Sequence, residues 1–258
     1  MNAGSHMEPE AAVELKRAVD RADEIHARAQ GVPREPRPGS LAASDAAVPH
    51  ARWVILSANM ALGVASDHLT AWKLLVESRV IPIYSPMTLL RAALEAGVLC
   101  RWLVDPRPDP LERVARGVAA QVADYDERRK WEVTIAAPEE RPPGGGKSGA
   151  ARLADLKAAR DADDIPVIRL PRATDLAQGF GAPGYRDVSG FYRLMSAFAH
   201  AKPWALHATT LGPSAAMSTP GLQGGQVTIS DHVVVRATNM VAGVVETAVM
   251  DIEAYLGG

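Results

Sequence analysis

Cysteine is nearly absent. The chain has one, Cys100, in the apolar run Gly97-Val98-Leu99-Cys100-Arg101-Trp102. A single thiol makes no intrachain disulfide, and in such a run it reads as a small buried hydrophobe rather than a nucleophile. Aromatic residues are scarce as well, at 5%, so the core has to be built from Leu, Val, Ala and Met. Abundant alanine favours close-packed helices over sheets. Neither sign of charge is in excess: with 28 basic and 30 acidic residues the net charge is −2. The molecule as a whole therefore does not attract nucleic acid, although a local basic face is compatible with these numbers. No window approaches the ~18 uninterrupted apolar residues of a membrane span. The charge-rich residues 1–30 contain no apolar signal segment. The expectation is a cytoplasmic protein with no membrane association. Hydrophobic residues make up 47% of 258 positions. That excludes a disordered tail and allows a core without disulfide or metal staples.

Gly4-Ser5-His6-Met7 reads as a remnant of tag removal, so residues 1–7 are set aside. Residues 8–258 read as one mainly helical domain. Val13, Leu15, Val19, Ala22, Ile25 and Ala29 have roughly helical spacing over residues 8–30. Proline and glycine break the pattern at residues 31–39. Residues 41–78 predict a long helical stretch with a break near Pro49, in which Trp53, Leu56, Met60, Val64, Leu69, Trp72 and Leu75 recur. Ser85 and Pro86 suit an N-cap and a first helical position. The helix they open, residues 86–104, is the most apolar and is expected to be the most buried. Pro106, Pro108 and Pro110 forbid its continuation.

An amphipathic helix is expected over residues 110–136, a short polar one over 150–162, and another over 188–202, stopped by Pro203. Residues 163–190 read as irregular, with 165–170 a candidate strand. Residues 206–211 and 226–230 are β-prone and can pair. The last helix starts at Ser230 or Asp231 and runs to Gly257. Residues 1–8 and 138–149 lack apolar periodicity and are expected to be the most mobile. The expected fold is all-α: a helical bundle with long loops and a small β-hairpin near residues 205–230.

Several motifs fail on inspection. Gly144-Gly145-Gly146-Lys147-Ser148 resembles a phosphate loop, but Arg141 stands where the first glycine belongs and no strand precedes it. The run from Gly179 to Gly184 matches G-x-G-x-x-G, yet Pro183 lies inside it and no βαβ unit surrounds it. It reads as a turn. A di-iron bundle needs paired Glu-x-x-His motifs, and none occurs. With one cysteine and scattered histidines, no metal site and no cofactor are expected.

One constellation stands out, in Phe191-Tyr192-Arg193-Leu194-Met195-Ser196-Ala197-Phe198-Ala199-His200. At ~100° per residue, Arg193, Ser196 and His200 fall at roughly 0°, 300° and 340°, opposite Phe191, Leu194, Met195 and Phe198. A guanidinium can hold a phosphodiester and stabilise developing negative charge. A histidine can move protons near neutral pH. A structural role fits the same residues: Arg193 pairing with a helix-end carboxylate and His200 capping the helix. Arg91 and Glu95 lie i, i+4 on the apolar helix 86–104, where a charge pair needs partners. They read either as a structural salt bridge or, with Asp67 or His68, as a polar pocket completing the 193–200 stripe. Trp204 reads as a packing residue rather than a base-stacking platform.

Arg followed after six residues by His, late in an all-helical domain, resembles the R-x4-6-H signature of the HEPN superfamily. Members are helical, usually dimeric, and many are metal-independent ribonucleases of toxin–antitoxin and phage-defence systems. The resemblance implies catalytic roles for Arg193 and His200, with Ser196 between them, RNA or a nucleotide as substrate, and a homodimer. Leu194 stands where active members usually carry a polar residue. Asp67-His68-Leu69, the run from Leu89 to Glu95, Trp102-Leu103-Val104-Asp105-Pro106 and the run from Tyr192 to Trp204 also look like uncharacterised actinobacterial helical proteins. Two functions stay open: a metal-independent ribonuclease or nucleotide-acting defence protein, and a non-catalytic helical protein that binds a protein partner or small ligand.

Overall fold

The computed structural model describes residues 7–78, 82, 84–134, 147–205 and 229–257. The fold is all-α, and no strand occurs among the described residues. In chain order the helices are α1 (Pro9–Gly31), α2 (Leu41–Asp45), α3 (Arg52–Glu77), α4 (Ser85–Leu103), α5 (Pro110–Thr134), α6 (Gly149–Ala162), α7 (Ala173–Gly179), α8 (Val188–Ala199) and α9 (Asp231–Leu256).

Local chemistry sets their ends. Pro9 opens α1, where a missing N–H costs nothing. The Ser40 hydroxyl accepts from the Ala43 N–H at 3.1 Å and caps α2. Asp109 accepts from the Glu112 N–H at 2.8 Å and caps α5, and Ser148 does the same for α6 through Ala151. Between α2 and α3, His50 adopts the left-handed φ of 71°, and its Nε2 lies 2.8 Å from Asp163.

Two expectations are corrected. Residues 165–170 are coil without a strand partner, and the irregular stretch around them contains the short helix α7. The expected hairpin falls almost wholly on residues 206–228, outside the described residues. The segments expected to be mobile lie largely outside them too. Their described ends are tied: the Glu8 N–H donates to Asp231 at 2.9 Å, and the Gly149 N–H donates to Glu132 at 2.7 Å.

The chain divides into two compact units: Met1–Val32, Ala61–Leu99 and Ala173–Met250 form one, and Pro33–Met60, Cys100–Arg172 and Asp251–Gly258 the other. In the first unit Trp72 is fully buried, and its indole N–H donates to the Thr238 hydroxyl at 3.0 Å. Thr238 in turn donates to the Val234 carbonyl at 2.8 Å, so the one polar atom of the ring is satisfied.

Helix α3 turns inward a different face from the one that Leu56, Met60 and Val64 suggest. Ala58, Ala61, Leu62, Ala65 and Leu69 are buried, while Leu56, Met60 and Val64 stand 45%, 62% and 47% exposed. Small side chains let neighbouring backbones approach closely, and in a core short of aromatics that fills space better than long ones do. Burial expected chiefly of the 86–104 helix is shared by α4 and α9. By length and composition α9 could cross a membrane, but 67% of its most apolar window is buried inside the protein. Cys100 is fully buried, and burial pushes its thiol up to about 12.

The second unit is organised around a buried arginine. Arg113 on α5 donates to Asp45 on α2 from Nη2 at 2.7 Å and from Nε at 2.9 Å. The Tyr255 hydroxyl on α9 donates to the same carboxylate at 2.8 Å, and Arg113 also reaches the Pro108 carbonyl. Arg113, Asp45 and Tyr255 are each at most 2% exposed. Burial and the Asp45 hydrogen bond hold the Tyr255 phenol far above its ordinary range. Helix α5 can approach α3 because residue 117 is glycine: a Cβ there would lie 2.6 Å from the Val54 backbone nitrogen.

Removing one partner of a buried ion pair strands the other. Asp45→Ala is therefore expected to lower unfolding stability by about 3–5 kcal/mol, read from urea melts. A loss below about 1 kcal/mol would mean that Arg113 finds other acceptors.

Candidate functional site

The stripe from Arg193 to His200 belongs to α8 in the first unit. This helix is amphipathic, with Val188, Tyr192, Met195, Ala197 and Phe198 buried. Phe198 meets Tyr84 edge-on, with ring centroids 6.4 Å apart. At the N-terminal end the Arg236 guanidinium on α9 stacks 5.1 Å over the Phe191 ring and lies 3.7 Å from Asp187. With that side anchored, Arg193 and His200 point to solvent and Ser196 is half-buried.

His200 is the C-cap of α8. The Ala201 N–H donates to the Phe198 carbonyl at 3.0 Å, and the Lys202 N–H to the Ala197 carbonyl at 2.8 Å. That pair of bonds defines a Schellman motif, in which the residue after the cap is left-handed and usually glycine. Here it is Ala201, at a φ of 49°. The backbone beside His200 is thus held in a conformation that costs a non-glycine residue about 1–2 kcal/mol. Capping is done by the main chain. The His200 and Arg193 side chains have no hydrogen-bond or ion-pair partner among the described residues, so the helix-end carboxylate of the structural reading is not found for Arg193 there.

The Arg91–Glu95 pair forms as the spacing suggests, at 2.7 Å, with side chains 24% and 31% exposed. What joins it to α8 is Tyr192, whose hydroxyl donates to Glu95 at 2.6 Å. Arg91 Nη2 lies 3.4 Å from the same hydroxyl, and the guanidinium carbon 5.6 Å from the ring centre. The Nε of Arg91 is buried without a partner. Burial first, and the bond to Glu95 second, raise the Tyr192 phenol above its ordinary value, with Arg91 pulling the other way. Asp67 is exposed and His68 half-buried on α3. Among the described residues no hydrogen bond or ion pair links Arg193, Ser196 or His200 to Asp67, His68, Arg91 or Glu95. Tyr192 was the residue to find from the sequence. It lies roughly 40° from Ser196 on the helical wheel, and a tyrosine bordering an apolar face needs a partner for its hydroxyl.

The second unit contains a different kind of site. An open-sided cavity of about 810 Å³ lies between α5, α6 and residues 166–170. Its lining includes Lys157, Arg160 and Arg169, which the sequence motifs did not single out.

The chain matches no protein-family model, no curated protein and no solved structure.

Tyr192→Phe deletes the bond to Glu95 and is expected to cost about 1 kcal/mol at neutral pH. The folded chain favours the neutral phenol. Stability therefore falls as pH rises above about 10, where the unfolded chain's tyrosine ionises first. The variant should lose less stability than the wild type between neutral and strongly alkaline pH. Parallel losses in melts of the two proteins would contradict the Glu95 contact.

Proposed function

We propose that the chain is a HEPN-like protein that acts on RNA or a nucleotide through Arg193 and His200. The observation that carries this reading is the exposure of an unpartnered guanidinium and an unpartnered imidazole on one side of a helix whose opposite side is anchored. The left-handed Ala201 next to His200 adds weight, because strained backbone tends to persist where a site requires it. In RNA cleavage the 2′-oxygen attacks phosphorus and the 5′-oxygen leaves. Arg193 would hold the phosphodiester and the charge developing on its oxygens. His200 would take the 2′-hydroxyl proton, and a second His200, from another copy, would protonate the leaving oxygen.

That scheme calls for a homodimer. Helix α3 offers a face for one: Leu56, Met60, Val64 and Leu74 are each 45–62% exposed and fall within about 80° on the helical wheel. Asp67 lies on this same stripe. The alternative, a non-catalytic helical protein that binds a partner or small ligand, draws support from Leu194 beside Arg193 and from the 810 Å³ cavity, whose lining includes none of the α8 residues.

His200→Ala and Arg193→Ala are each expected to reduce cleavage of single-stranded RNA at least ~100-fold, with unchanged Tm and with wild-type activity persisting in EDTA. A wild type that cleaves no RNA moves the conclusion to the binding reading. A stability loss above about 2 kcal/mol in His200→Ala marks a structural histidine. Met60→Lys should convert a dimer to a monomer in sedimentation velocity. A wild type that already sediments as a monomer removes the two-histidine scheme.

A further inference from the structure

The cavity of the second unit differs from the α8 face in its chemistry. Its floor is the side of α5 that carries the half-buried Val122 and Ala123, with Ala115, Val118 and Ala119 almost fully buried beneath them. Ile168 and Leu170 form part of the opposite wall, and Val167 stands 75% exposed at its lip. Val167 with the half-buried Val122, Ala123, Ile168 and Leu170 leaves apolar surface that water serves poorly. The volume, about 810 Å³, lies in the ~300–1,000 Å³ range of small-molecule sites, which are typically apolar with a few convergent polar groups.

Those groups are cationic here. Lys157 and Arg160 project from α6 and Arg169 from the facing segment. Asp126 is the one carboxylate in the lining, and it is already occupied, by Arg129 at 2.8 Å and Lys130 at 2.9 Å. Arg160 is bound to its neighbour Asp161 at 2.6 Å. Lys157 and Arg169 are exposed and have no partner among the described residues.

We propose that this cavity binds a small anionic amphiphile, a linear apolar chain ending in one carboxylate, with Lys157 and Arg169 meeting the head and the α5 floor meeting the chain. Neutral or cationic amphiphiles of equal length gain the floor but not the rim. Each methylene laid on the floor strengthens binding about fourfold, the equivalent of ~0.8 kcal/mol.

The test is calorimetric titration of the full chain with decanoate. One molecule is expected to bind per chain, with octanoate weaker by roughly fifteenfold, two methylenes' worth. Decyltrimethylammonium should bind at least tenfold more weakly than decanoate. Arg169→Glu, a surface change, should weaken decanoate at least tenfold. Ala123→Phe, which places a ring on the floor, should abolish binding while circular dichroism stays helical; if it fails to fold, Arg169→Glu and the chain-length series still decide. Arg193→Ala should leave binding unchanged, which separates this site from the RNA reading. The proposal is overturned if decanoate does not bind, if the ammonium amphiphile binds as tightly, or if several molecules bind regardless of Arg169→Glu.

Discussion

An arginine placed on an apolar helix has to be met by an acceptor, because an unpaired buried guanidinium costs several kcal/mol. Each unit has a group that meets this demand in the same way: a carboxylate bound to the arginine and a tyrosine hydroxyl donating to that carboxylate. In the second unit the group is Arg113, Asp45 and Tyr255. In the first it is Arg91, Glu95 and Tyr192. The two differ in burial. The Asp45 group is sealed and ties the short α2 to α5 and α9. In the Glu95 group Arg91 and Glu95 are about a quarter to a third exposed while Tyr192 is buried, and the group acts on α8. Holding Tyr192 to Glu95 fixes the rotation of α8 about its axis. With Met195 and Phe198 also turned inward, residues 193 and 200 have no direction left but outward.

Most helix positions were legible in the sequence because they rest on local signals: the proline and glycine break at residues 31–39, the Pro106, Pro108 and Pro110 run between α4 and α5, and Ser230 or Asp231 at the start of α9. Which face of a helix is buried was less legible. On α3 the large residues Leu56, Met60 and Val64 suggested a core face, yet Ala58, Ala61 and Leu62 between them are the ones that pack, together with Leu69 and Trp72 further along. Hydrophobic size favours one face and close approach the other, and only the neighbouring helices decide. Helix α7 was missed because seven residues give too little periodicity to register. At the candidate site the stripe and the Arg91–Glu95 pair were readable from 3.6-residue spacing. The Tyr192 link was not, since it depends on α4 and α8 meeting more than ninety residues apart in sequence. The cavity was invisible for the same reason: its floor, wall and rim come from three segments that carry no motif.

Charge pairing shows which cations hold the fold together. With 28 basic and 30 acidic residues, the composition would allow every cation an acid of its own. The structure instead loads several cations onto single carboxylates. Asp105 accepts from both Arg107 and Arg116, and Asp126 serves Arg129 and Lys130. At Asp105 burial alone would raise the carboxyl, but Arg107 and Arg116 outweigh it and hold it below the usual range. Arg193, Lys157 and Arg169 have no acid within ion-pair distance among the described residues, a state they share with other exposed cations such as Arg17 and Lys202. Beside Arg193 stands His200, a group that exchanges protons near neutral pH, on an open helix face that a polymer could approach. Beside Lys157 and Arg169 lies an apolar floor with no histidine in its lining. The first combination is suited to chemistry on a phosphodiester and the second to holding a ligand without transforming it. The catalytic and binding readings therefore need not compete for the same residues.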